Sequence, residues 1–67
     1  MLLLGYFILI KGNYYSLKDQ HDKAIESFSR AIKLDQNYSA AWTLLGHEYI
    51  ESRNPKQAIQ VYRKAVG

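Results

Sequence analysis

The sequence predicts an all-α chain built as two consecutive helix hairpins, a fragment of an α-α solenoid. Three observations carry that prediction. A residue pattern occurs twice at an offset of 34: Gly12, Tyr15, Ala24, Phe28 and Ala31 return as Gly46, Tyr49, Ala58, Tyr62 and Ala65. Ile25, Phe28, Ala31 and Ile32 recur at helical spacing on one face, as a buried helix stripe does. Polar breaks separate the periodic segments: Asp35-Gln36-Asn37 between the repeats, and Asn54-Pro55 within the second.

Four elements follow in order. Helix α1 is predicted from about Leu3 to Leu17, with Gly12 as the place where a lost side chain admits its partner helix. Helix α2 is predicted from about Asp22 to Leu34, with Ala24 as the small residue opposite Gly12 and His21 exposed in the turn before it. Helix α3 is predicted from Ser39 to Ser52, with Ser39 as its N-cap and Trp42, Leu45 and Tyr49 filling the space between helices together with Ile59 and Tyr62 of the next helix. Helix α4 is predicted from Pro55 to Val66, capped by Asn54, with Pro55 in the first turn where its missing N–H costs nothing. Repeat one thus covers about 5–38 and repeat two about 39–67.

The second copy reads Trp42-x2-Leu45-Gly46-x2-Tyr49, then Ala58-x3-Tyr62-x2-Ala65, which resembles the tetratricopeptide signature in residues and in period. One such hairpin cannot bury its apolar face alone. Stacked hairpins bury a shared core and present a concave surface that binds other proteins. A chain of 67 residues buries only about 60% of its unfolded surface, and arrays of this kind normally hold three or more repeats. The expectation is a piece of a longer array. The outer faces of α1 (Leu2, Leu3, Phe7, Ile10) and α4 (Ile59, Val66) are then apolar surfaces that seek neighbours.

Composition narrows the function classes. There is no cysteine, which excludes disulfides and thiolate metal sites. The net charge of +3 is spread over helices and loops among acids, an ordinary solvated surface and not a nucleic-acid stripe. The apolar opening from Met1 to Ile10 has no basic n-region and is about half the length of a membrane span. Ile8 falls in register with Trp42, so the run reads as the first repeat helix, and no membrane contact is expected.

Catalysis finds little support. There is no His-x3-His pair, no nucleophile elbow and no Gly-rich phosphate loop. His47 and Glu51 could meet a metal at i, i+4, but a solvated helix face is the plainer reading. No enzyme activity, cofactor or metal is expected.

Binding finds more. In this repeat class the inner surface comes from the first helix of each hairpin. Here those positions hold Tyr6, Leu9, Asn13, Ser16 and Leu17, then Ala40, Thr43, His47, Ile50 and Glu51. None is lysine or arginine, which suits a cationic or apolar peptide. Two residues after each glycine the repeat usually carries a small residue, yet Tyr14 and Glu48 stand there. A carboxylate at a packing position is costly unless paired. Two readings stay open for Glu48. It has a partner in the fold, such as the Tyr14 or Tyr15 hydroxyl or Asn13, or it forms an acidic pocket for a ligand's arginine.

Gly12-Asn13-Tyr14-Tyr15-Ser16-Leu17, Gln20-His21-x-Lys23-Ala24 and Gly46-His47-Glu48-Tyr49 also resemble one scaffold family. It is the family of the eighth subunit of the anaphase-promoting complex, the cell division cycle protein 23 family. The resemblance runs from about Ile10 to Val66 and fades over Met1 to Leu9. It implies a non-catalytic scaffold in a ubiquitin ligase that controls mitosis and the cell cycle, located in the nucleus or cytoplasm. It also implies self-association, contacts with other repeat subunits, and a groove that receives an arginine-bearing co-activator motif. Asn13, His47, Glu48 and Glu51 are the expected peptide-binding residues, with Asn13 and Glu48 suited to a guanidinium. The alternative is a generic adaptor of the co-chaperone type that clamps a C-terminal carboxylate. Such clamps need a lysine where Leu9 stands and an asparagine where Leu44 stands, and only Asn13 fits.

Overall fold

A computed structural model describes residues 3–66. It contains four helices in chain order: α1 (Leu3–Leu17), α2 (His21–Leu34), α3 (Ser39–Glu51) and α4 (Pro55–Val66). Helix α1 packs on α2 and α3 on α4, each as an antiparallel hairpin, and α2 packs on α3 to join them. The result is a slab of about 30 × 29 × 13 Å. The helices agree with the predicted ones except at two ends, where α2 begins at His21 and α3 stops at Glu51.

Each hairpin turns by the same device. Asp19 and Arg53, which are 34 residues apart, adopt left-handed backbone angles (φ 59° and 65°). Gln20 N–H then donates to Tyr15 O (2.9 Å) and Asp19 N–H to Ser16 O (3.0 Å). In the second hairpin Asn54 N–H donates to Tyr49 O (2.7 Å) and Arg53 N–H to Ile50 O (3.0 Å). These paired bonds are a Schellman closure, which satisfies carbonyls that a helix end leaves bare. Neither closure uses glycine, so the sequence gives no obvious warning of it.

The N-termini differ from expectation. Tyr38, and not Ser39, is the N-cap of α3, and no side chain caps that end. The link between repeats is held otherwise. Asn37 N–H donates to the Asp35 carboxylate (3.0 Å), and the Trp42 indole N–H donates to Gln36 O (2.9 Å). The Asn54 carbonyl accepts from Ala58 N–H (3.1 Å), while its side-chain amide donates back to Ser52 O and Oγ (3.2 and 3.0 Å).

The core runs continuously through Leu9, Ala24, Phe28, Ala31, Ile32, Ala41, Leu45 and Val61. The glycines admit the partner helix as predicted, but what faces them is an aromatic ring and not Ala24 or Ala58. A Cβ on Gly12 would collide with the Phe28 ring, and one on Gly46 would lie 2.7 Å from Tyr62 Cε1. It is the aromatic ring of the partner helix, beside fully buried Ala24 and Ala58, that fills the space. Leu3, Phe7, Ile10 and Ile59 are exposed on the outer faces; Leu2 and the Val66 side chain lie outside the described residues. No helix among the described residues is long and apolar enough to cross a membrane.

Candidate peptide-binding face and the Glu48 joint

Helices α1 and α3 present the predicted face side by side. Tyr6, Asn13 and Leu17 are exposed on α1, and Ala40, Thr43, His47, Ile50 and Glu51 are exposed on α3. Leu9 departs from the expectation of a groove position. It is 6% exposed and belongs to the core, because α1 turns that edge toward its neighbours. The face therefore mixes apolar side chains with amide, imidazole and carboxylate groups.

Glu48 is set apart from the other three candidates. Asn13, His47 and Glu51 are open to solvent, while Glu48 is only 2% exposed. Both of its carboxylate oxygens are engaged. Ser16 Oγ donates to Oε2 at 2.7 Å, and His21 Nδ1 lies 2.8 Å from Oε1. Among the described residues no buried side-chain polar atom lacks a partner. A lone buried carboxylate would be costly, and these two donors offset that cost.

The three residues come from three helices. Ser16 lies in the last turn of α1, His21 is the first residue of α2, and Glu48 sits in the last turn of α3. The joint thus ties the second hairpin to both helices of the first. The Glu48 hydrogen bond lifts the His21 imidazole above its ordinary value of 6.5, against the opposing effect of burial. The charges of Glu48, Asp19 and Glu51 add to the lift. Asp19 Oδ1 stands 3.9 Å from the other ring nitrogen. Protonated imidazole is therefore favoured beside the carboxylate.

The partners differ from those proposed on the sequence, which were the Tyr14 or Tyr15 hydroxyl and Asn13. His21 is not an exposed turn residue but the first residue of α2, with its ring turned to α3. The signal for a partner was legible, because a carboxylate at a packing position demands a donor. Its identity was not. The Schellman turn at Asp19 aims His21, and that turn carries no glycine to mark it.

A cavity of about 160 Å³ lies between α1 and α2, lined in part by Tyr15, Lys11, Lys23 and Arg30. Lys23 Nζ sits 5.6 Å from the Tyr15 ring centroid, within cation–π range. None of the four candidates lines it.

Comparison with known proteins agrees with the doubled hairpin. The tetratricopeptide repeat is matched over residues 9–38 and again over residues 39–67. Anaphase-promoting complex subunit 8 of Arabidopsis thaliana is 62% identical over 45 residues, which is 67% of this chain and 8% of the relative. The protein of the same name from Dictyostelium discoideum is 61% identical over 49 residues, 73% of this chain and 8% of the relative. Anaphase-promoting complex subunit CDC23 of Saccharomyces cerevisiae is 49% identical over 51 residues, 76% of this chain and 8% of the relative. The chain spans about 8% of the length of these curated relatives. With two consecutive repeat matches and the two stacked hairpins they predict, the chain belongs to the tetratricopeptide repeat family.

Proposed function

We propose that this chain is a segment of a non-catalytic protein-interaction scaffold of the anaphase-promoting complex, of the subunit 8 kind. It serves the cell cycle through a ubiquitin ligase, in the nucleus or cytoplasm. The observation that supports this most is the identity of 62% over 45 residues, 67% of this chain, to a protein of that name. Other repeat subunits and a second copy are the proposed large partners, offered the exposed apolar side chains of α1.

The proposed small partner is an arginine-bearing peptide of a co-activator, laid along the α1–α3 face. Asn13 supplies an amide oxygen, Glu51 an exposed carboxylate, His47 a polar wall and Glu48 the buried charge behind them. A guanidinium matches such a set of acceptors, because its N–H groups form a fixed planar fork. The absence of lysine and arginine from the groove positions removes the repulsion a cation would otherwise meet. The co-chaperone alternative asks for a lysine clamp, and Leu9 in that place is buried.

Titrating the chain with an arginine-bearing peptide and with an acidic C-terminal peptide separates the two. The proposal expects the first to bind and the second not. Preference for the acidic peptide would replace this reading with the adaptor one.

A further inference from the structure

We propose that His21 is a displaceable occupant of the Glu48 carboxylate: in the free chain its imidazole holds the place that a guanidinium takes in the bound chain. The inference rests on the arginine-groove reading above and adds to it the residue that regulates entry.

The two donors to Glu48 are not alike. Ser16 is anchored in the last turn of α1, and its short side chain carries its hydroxyl to Oε2 at 2.7 Å. His21 opens α2, two residues after the left-handed residue Asp19, and no side chain caps that end. Its side chain is 22% exposed, against 2% for Glu48. Rotation about its side-chain bonds takes the ring outward into water without breaking a helical turn. Departure of the ring frees Oε1 and leaves Oε2 bonded to Ser16.

The surroundings favour a cation in the vacated place. Glu48 and Glu51 from α3 and Asp19 from the α1–α2 turn all act on His21, and α1 adds only the uncharged Ser16. Three carboxylates around one imidazole leave the spot negative even when His21 is protonated. Asp19 is 92% exposed, so incoming charge meets it early. A guanidinium brings a permanent charge and several donors where the imidazole brings one donor to Oε1.

The exchange has a pH signature. In the free chain the Glu48 bond holds His21 above 6.5. Displaced into solvent, the ring returns to its ordinary value. Binding then releases a proton wherever the free chain is protonated and the bound chain is not. Affinity therefore rises with pH between 6.5 and the raised value, by at most about tenfold per pH unit, and levels off outside that window.

The test titrates the chain with a blocked peptide carrying a single arginine and with its citrulline twin, at about pH 6 and about pH 8.5. The expected result is arginine preferred over citrulline, severalfold tighter binding at the higher pH, and loss of that slope in His21→Gln. That variant should also bind more tightly than wild type at the lower pH. Equal wild-type affinities at the two pH values, or an unchanged slope in His21→Gln, would overturn the displacement while leaving the groove reading in place. No preference for arginine at either pH would overturn the groove reading and this inference together. If His21→Gln fails to fold, the His21 ring is followed by NMR in wild type with and without saturating peptide. Its titration midpoint should fall toward 6.5 when peptide is bound, and a midpoint that stays raised would overturn the proposal.

Discussion

Tyr14 and Glu48 occupy the same place in the two repeats, 34 residues apart, and meet opposite surroundings. Tyr14 is 55% exposed, with Lys18 Nζ 5.6 Å from its ring centroid, while Glu48 is 2% exposed and bonded through both oxygens. Lys11 and Leu45 form a second such pair, one exposed and the other 5% exposed. The difference lies in what each helix packs against. Helix α3 has the first hairpin against that edge, and α1 has no described element there. A repeat position is therefore not buried or exposed by its own sequence; the neighbouring hairpin decides, as expected of a stack stabilised through its interfaces.

The same contrast ranks the expected effects of substitution. Phe28 is fully buried between its own hairpin and α3, whereas Tyr62, its equivalent on α4, is half-buried. Phe28→Ala should cost about 3–5 kcal/mol and Tyr62→Ala clearly less, read from urea midpoints. Equal losses would mean that stacking adds nothing to burial within a hairpin.

Gly46→Leu drives a side chain into the Tyr62 ring and should cost about 1–3 kcal/mol or more by overpacking. Ala40→Leu, on the exposed face of α3, should change stability by less than about 0.5 kcal/mol. Matching thermal midpoints for the two would break the assigned register. Gly12→Ala sharpens the point, since Phe28 is enclosed and cannot yield as the half-exposed Tyr62 can. It should destabilise more than Gly46→Ala.

Modest gains are expected at the turns. Arg53→Gly removes the strain of a left-handed arginine and should gain up to about 1 kcal/mol. Asp19→Gly should gain less, because aspartate tolerates that conformation better and Asp19 also faces His21 at 3.9 Å. Thermal midpoints showing the reverse order would argue that the Asp19–His21 contact contributes nothing.

Much of this molecule was legible in its sequence. The 34-residue offset, the two glycines and the Asn54-Pro55 start placed all four helices, because each is a local requirement of the hairpin. The misplaced features are those that depend on the other hairpin or on backbone angles. Leu9 is read as a groove residue from repeat position alone, and the packing of α1 buries it. Ser39 has the composition of an N-cap, yet the chain enters α3 one residue earlier, through Tyr38. Glu48 is recognisable as an anomaly from its chemistry, but its partners lie 27 and 32 residues away and are brought to it by the stacking of α3 on the first hairpin.

Glu48, held by His21 and Ser16, joins the two hairpins. The direct measurement is a double-mutant cycle of His21→Ala and Glu48→Gln, with unfolding free energies taken below and above the His21 titration. Because folding raises the His21 value above 6.5, its charged contribution is fully present below that pH and is lost as pH rises through the folded value. The expected coupling is about 0.5–3 kcal/mol at the lower pH, shrinking at the higher. Additive losses at both pH values would mean that His21 and Glu48 do not couple the two hairpins.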